Sequence, residues 1–329
     1  MKVVIATPFV PPERGVLAVY TEGLSQAFEK RGDTMTVVPF GDTKHLPPIV
    51  RHIAYFSRML TASPGASFVL ALDTWSVGLP ALMAAKIRHV PFVVRIGGDY
   101  LWESYIERTK SEVRLSEFYT RPRSYSLKEQ MIFYATRWLL RSADVVFFNT
   151  KFQKKIWEDA YGFPNAKSHL LENYYPPVVM HEAKEKVFVS GNRERLYKNM
   201  DMLERAFKRV RMKYPAAQLD TSLLPHDEHL ARSRSAYAVI VPSISEVGSN
   251  NVIDGISNGK PFVMTDDTGT RERLSACGIF VDTRDEKKLA EAIESLLDSS
   301  VYDRLLKNIH EFSFTHSWDE IAEEIVRAL

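Results

Sequence analysis

The stretch SISEVGSNNVIDGISNGKPFV, Ser243–Val263, sets a serine-rich start, an isolated Glu246 and paired asparagines ahead of an apolar-spaced run that stops at a glycine. Just before it, AYAVIV (Ala236–Val241) ends at Pro242. The β-branched run predicts a buried strand, Ser243–Asn251 the loop at its carboxyl end, and the residues from Val252 a helix with Val252, Ile253 and Ile256 inward and Gly259 at its close. In an open α/β sheet, ligands bind outside the carboxyl ends of strands, where helix N-termini offer N–H groups. Phosphate suits such a place. Gly248 lets backbone approach closely, Glu246 stands at the loop edge, and Asp254 can point back along the same face. The plainer reading makes Glu246 a partner of the helix dipole and Asp254 a solvated helix acid.

Similar strands recur on both sides of this stretch. KVVIA, MTVVPF, SFVLAL, PFVVRI and ADVVFFNT fill the first half, and KVFVSG, AYAVIVPS, PFVMT and GIFVD the second. Between them Leu17, Tyr20, Leu24, Ala27 and Phe28, and again Leu203, Phe207 and Val210, keep a helical period. Alternating strand and helix predicts a parallel sheet with helices on both faces in each half, hence an α/β chain of two Rossmann-like domains. A length of 329 residues agrees with two domains. Pro176 and Pro177, inside NYYPPVVMHEAKEK, mark the linker. The domains are expected at 1–175 and 176–314, with a last helix at 315–329 that Ser317 and Glu320 cap as a box.

From Gly97 to about Ser126 no strand pattern appears, and the stretch reads as a long functional loop rich in Tyr, Arg and Glu. It opens with RIGGDYLWESY. Gly97 and Gly98 let a ligand near the backbone, Asp99 can orient a sugar hydroxyl or take up a proton, Glu103 follows, and Trp102 reads as packing. A second basic element, VFVSGNRERLYKN, places Gly191 after a strand and then Arg193, Arg195 and Lys198 before a helix, the parts of a site for a departing diphosphate. Read plainly, it is a solvated basic loop.

Several classes are excluded. No G-x-G-x-x-G occurs, which removes the usual dinucleotide fingerprint; Gly15 alone stands at the mouth of the first helix. The single Cys277 rules out an internal disulfide and a multi-cysteine metal centre. The nine histidines are scattered, with only His226 and His229 at helical spacing, so no metal is expected. Neither a serine elbow nor a Cys/His pair is present.

In order, these pieces resemble the GT-B glycosyltransferases, specifically the retaining group 1, or family 4, enzymes. That family has Pro-Ser, two residues, Glu, seven residues, Glu, then Gly-x-Pro; here Pro242, Ser243, Glu246, Asp254, Gly259 and Pro261 stand at those places. The resemblance implies a GT-B fold, two Rossmann-like domains facing an interdomain cleft. It also implies a metal-independent enzyme without cofactor, moving a sugar from a nucleotide diphosphate donor to a hydroxyl of a glycan, a glycolipid or a cell-surface polysaccharide precursor. By it, Glu246, Lys198 and Asp99 are catalytic; Gly15, one of Arg193 and Arg195, Lys198, Gly248, Ser249, Asn250 and Asn251 hold the diphosphate; Asp254 takes the ribose; and Gly97, Gly98 and Glu103 lie on the acceptor side. Asp254 is shorter than the family's Glu, and the second domain is abbreviated between Tyr214 and Tyr237, where the family fits two more strands. The alternative is a degenerate GT-B protein that binds nucleotide or glycan without turnover.

Charge is uneven: residues 1–172 hold 22 Lys and Arg against 16 Asp and Glu, a net +6, leaving −4 for the rest. Arg108–Arg141 carries eight cations against three acids and several aromatics. It reads either as a segment lying on an anionic membrane or as a partly buried helical hairpin. The expected setting is the cytoplasm, with or without peripheral contact to the membrane, and no nucleic acid among the partners.

Overall fold

The computed structural model describes residues 1–10, 16–191, 195–224 and 226–329. The first half runs β1 (Lys2–Thr7), α1 (Val16–Lys30), β2 (Thr34–Pro39), α2 (Pro48–Ala62), β3 (Phe68–Ala71), α3 (Gly78–Arg88), β4 (Phe92–Ile96) and α4 (Tyr100–Thr109). It continues through α5 (Leu115–Phe118), α6 (Leu127–Ser142), β5 (Val145–Phe148), α7 (Lys151–Tyr161) and β6 (Ser168–Leu170). The second half runs β7 (Val187–Val189), α8 (Met200–Lys213), β8 (Gln218–Asp220), α9 (His226–Ser235), β9 (Ala238–Val241), α10 (Asn250–Ser257), β10 (Phe262–Thr265), α11 (Arg271–Leu274) and β11 (Gly278–Val281). Three helices close the chain: α12 (Glu286–Ser295), α13 (Ser299–His310) and α14 (Trp318–Arg327).

The chain forms two compact units. Unit 1 holds Met1–Leu101, Ser124–Tyr174 and His316–Leu329; unit 2 holds Trp102–Arg123 and Tyr175–Thr315. Each is built on a wholly parallel sheet, ordered β2-β1-β3-β4-β5-β6 in unit 1 and β11-β10-β9-β7-β8 in unit 2. Parallel strands covered by helices on both faces are buried on both, which is why β3, β4, β5, β9 and β10 are continuous apolar runs rather than alternating ones.

In unit 1, Ile321, Ala322 and Ile325 of α14 join Tyr20, Leu24 and Phe28 of α1 in one core. The Ser317–Glu320 capping box is formed as the sequence predicts. Trp318 lies flat on Tyr174, 4.8 Å between centroids, and edge-on to Tyr20 at 5.1 Å. Only a glycine fits beneath it: a Cβ on Gly23 would stand 2.3 Å from the indole. His316 Nδ1 donates to the Asn173 carbonyl at 3.0 Å, and the buried Arg95 donates to the Asn173 side chain at 2.6 Å.

Three local expectations change. The stretch after Gly97 is not one continuous loop: α4 and α5 stand within it, and α4 forms because Leu101, Trp102, Tyr105 and Ile106 keep helical spacing. β6 and β8, three residues each and at sheet edges, carry no apolar run, so only their pairing to β5 and β7 makes them strands. β8 and α9 fill the span between Tyr214 and Tyr237. Among the described residues no group of three His, Cys, Asp or Glu could hold a metal ion.

Candidate functional site

The site builds up in unit 2 at the carboxyl end of β9. The chain leaves that strand into Ser243–Ser249, a loop whose backbone is held by its neighbours. Ile244 donates to the Tyr197 carbonyl at 2.8 Å, the Thr283 hydroxyl to the Ser243 carbonyl at 2.8 Å, and Glu246 N–H to the Asp267 carbonyl at 3.0 Å. Glu246 also bridges to Thr268, and Gly269 N–H bonds the Val247 carbonyl. The position of Glu246 is thus fixed by the loops that follow β10 and β11.

The helix opens two residues earlier than the apolar pattern indicates, at Asn250, because Ser249 caps it: the serine hydroxyl accepts from Val252 N–H. Asn250 and Asn251 are therefore the first turn, where backbone N–H groups and the helix dipole favour an anion. Gly255 lets α10 settle on β9, since a Cβ there would meet Val239 at 2.6 Å. Gly259 ends the run with φ +73°. Asp254 is half-buried on the second turn, and burial lifts its carboxyl from the ordinary range to about 7.

The basic element reaches the same place. After β7, a short turn at Leu196–Lys198 ends on Asn199, whose φ of +57° is a left-handed conformation that Asn tolerates and whose amide donates to the Thr283 carbonyl at 2.8 Å. That turn carries Lys198 Nζ to 2.8 Å from Glu246 Oε2, an oxygen that also accepts from the Ser243 hydroxyl at 3.0 Å. Asn251 donates from α10 to the Gly191 carbonyl. Arg195 is exposed at the start of the turn; Arg193 and Gly15 lie outside the described residues.

The segment Trp102–Arg123 packs on these loops within unit 2. Trp102 is buried, donates to the Val113 carbonyl and meets Tyr197 edge-on at 5.4 Å. Glu107 accepts from Leu196 N–H at 3.0 Å, and Leu115 N–H donates to Ser245 Oγ at 2.8 Å, next to Glu246. Arg114 pairs with Asp266 at 2.7 Å and Asp282 at 2.9 Å. Burial, with the charges and hydrogen bond of Glu103 and Glu246 behind it, holds the Tyr197 hydroxyl protonated far above its usual range.

Unit 2 thus gathers Glu246, Lys198, Gly248, Ser249, Asn250 and Asn251 at one strand end, with Asp254 a turn below and Glu103 beside Tyr197. Gly97, Gly98 and the buried Asp99 belong to unit 1, at the end of β4. Sequence reasoning passed over Tyr197, Ser245 and Asp267; of these only Tyr197, adjoining Lys198, carried a usable signal.

Two units, each a wholly parallel sheet interleaved with helices, make the GT-B fold. Residues 3–173 match the family model described as Glycosyl transferase 4-like domain, and residues 227–299 that described as Glycosyl transferases group 1. The chain belongs to this glycosyltransferase family. No curated protein sequence matches it. Among solved structures, it is similar to sucrose-phosphate synthase from Thermosynechococcus elongatus, with 12% identity, a TM-score of 0.71, and coverage of 99% of this chain and 97% of that one. It is also similar to Anabaena HepE in complex with UDP and glucose, at 10% identity and a TM-score of 0.69, covering 99% and 98%. A third is an α,α-trehalose-phosphate synthase (UDP-forming) from Burkholderia vietnamiensis, at 10% identity and a TM-score of 0.66, covering 99% and 98%.

Proposed function

We propose that this glycosyltransferase moves a sugar from a nucleotide diphosphate donor to an acceptor hydroxyl with retention of configuration, and needs no metal to do so. The observation that carries the reading is the Lys198–Glu246 pair beside the first turn of α10. A cation and a helix N-terminus together stabilise the negative charge that grows on a departing diphosphate, while a carboxylate one hydrogen bond away can bind sugar hydroxyls. The bond from the anomeric carbon to the diphosphate oxygen breaks, and its electron pair leaves with the diphosphate. The acceptor oxygen then bonds that carbon from the same face.

The acceptor's proton passes to a carboxylate, for which we assign Asp99, with Gly97 and Gly98 admitting the acceptor in unit 1. Arg195 adds charge at the diphosphate, and Asp254 is assigned to the ribose. That HepE is described in complex with UDP-glucose supports a nucleotide sugar as the donor class. The acceptor class is a glycan or a lipid-linked glycan.

The test is a thermal-shift panel of uridine, guanosine and adenosine diphosphates and their sugars, run on wild type and Lys198→Ala. One diphosphate should stabilise the wild type and lose its effect in the variant. No shift with any nucleotide, or an equal shift in both proteins, overturns the donor assignment.

A further inference from the structure

Helix α6 is apolar on two opposite sides. Its inner side, with Ile132, Leu139 and Leu140, is buried in unit 1, whereas Leu127, Met131, Tyr134 and Trp138 form a second stripe that is 82, 59, 64 and 45% exposed. These four fall at i, i+4, i+7 and i+11, one line along the helix. A helix apolar on both sides belongs between two apolar partners, and α6 has one of them within the chain.

The stripe does not stand alone. β2 to β3, β3 to β4 and β4 to β5 all advance in the same direction through the sheet, so right-handed crossovers set α2, α3 and α6 on one face and α1 on the other. α2 packs on α3, and α3 on α6. Ile49, Val50 and Ile53 of α2 and Met83 and Ile87 of α3 are exposed as well. Thus nine of the eighteen large hydrophobic side chains exposed among the described residues lie on three adjoining helices. A surface this apolar marks a contact.

Charge indicates what covers it. The three helices carry Arg51, Arg58, Lys86, Arg88, Lys128, Arg137 and Arg141, and their one acid, Glu129, is 2% exposed and used in the cap of α6. Among the described residues Arg58 alone of these cations pairs with a carboxylate, Asp42; Arg88, Arg137 and Arg141 donate to backbone carbonyls, which leaves their charge unneutralised. A second copy of the same face would set like charges against each other. An anionic bilayer instead meets the cations with lipid headgroups and the Leu, Met, Tyr and Trp side chains with acyl chains and the interface. No helix among the described residues is long and apolar enough to cross a membrane, so contact would be from one side.

We propose that the α2–α3–α6 face of unit 1 docks on an anionic lipid surface. The proposal refines the basic segment read from sequence, whose first part lies in unit 2 with Arg114 held by two carboxylates and Arg123 donating to the Phe118 and Glu117 carbonyls. It stands apart from the reaction: a lipid surface is sensed whatever donor unit 2 takes.

The experiment is co-sedimentation of the full chain with phosphatidylglycerol/phosphatidylcholine vesicles and with pure phosphatidylcholine vesicles at low salt. The wild type should sediment with the anionic vesicles and stay in solution with the neutral ones. Met131→Glu/Trp138→Glu, and separately Leu127→Glu, should weaken binding by about tenfold or more. Met212→Glu, a control at an exposed methionine of α8, should sediment as the wild type does. The proposal is overturned if the wild type ignores anionic vesicles or if the α6 variants bind as well as it does. It is equally overturned if light scattering finds a wild-type dimer that Met131→Glu/Trp138→Glu splits, since the face would then be an interface between copies.

Discussion

Lys198 and Glu246 form an ion pair 2.8 Å long between two loops of unit 2, with side chains 19 and 16% exposed. Each satisfies the other. An arriving diphosphate offers Lys198 a second anion, and a sugar hydroxyl offers Glu246 a neutral donor, so both groups keep partners when the pair loosens. Replacing either with Ala should lower transfer by about a hundredfold or more, as for loss of a group facing developing charge. Folding stability should fall by about 1–3 kcal/mol, the scale for removing one partner of a pair largely shielded from solvent, which is less than the barrier increase a hundredfold loss of turnover represents for most of that range. Turnover assays beside urea titrations check the split; equal loss in both would make the pair structural.

Asp254 should make stability depend on pH. Its folded carboxyl titrates near 7, above the ordinary 3.8, so the protonated form is favoured in the fold. As pH rises from about 4 to about 7, the unfolded state ionises first and stability falls, levelling off above 7. The loss is no more than about 4 kcal/mol from a raise of this size, and less where the carboxyl edge meets water. Asp254→Asn should match wild type near pH 4 and exceed it at pH 8 in melting temperature. The same variant should show a smaller shift with the stabilising nucleotide if the carboxylate holds ribose hydroxyls.

Arg114→Ala should destabilise unit 2 by about 1–3 kcal/mol, because Asp266 and Asp282 would lose the cation that stands between them. A hydrogen bond from Arg284, and behind it Arg114, holds the Asp282 carboxyl well below the carboxylate range. A depressed acid stabilises the fold above its unfolded pKa and loses that contribution as pH falls through the folded one. The variant should therefore unfold at a less acidic midpoint, measured by circular dichroism along an acid titration.

Gly23→Ala should cost about 1–3 kcal/mol, since the new methyl collides with an indole clamped between Tyr20 and Tyr174. Trp318→Ala opens a cavity instead. Combining the two should cost clearly less than their sum, and a double-mutant cycle in urea reads the difference. Additive values would mean that the ring shifts aside freely.

The long β-branched strands were legible because burial on both faces leaves no polar residue to confuse the pattern. β6 and β8 were not, since SHL and QLD are held by one neighbouring strand each and carry no apolar run. Glu246, Lys198 and the paired asparagines could be read as neighbours of a strand end, because chain order alone brings a loop and the next helix together. The partnership of Lys198 with Glu246, 48 residues apart, comes from a motif resemblance and from adjacent strands, not from local spacing. Nothing in NNVIDGIS announces that Asp254 is desolvated, and nothing in TEGLS announces an indole above Gly23; both depend on what another segment brings.

The chain enters and leaves unit 2 twice: it crosses after Leu101, returns at Ser124, crosses again after Tyr174 and comes back at His316. A chimaera made by joining halves of two such enzymes at the single boundary near Tyr174 would therefore inherit the loop of Glu246 from one parent and the residues that brace it, Glu107, Arg114 and Leu115, from the other. Exchanging donor preference between relatives calls for transplanting two pieces, Trp102–Arg123 along with Tyr175–Thr315, and keeping the final helix with the recipient's α1.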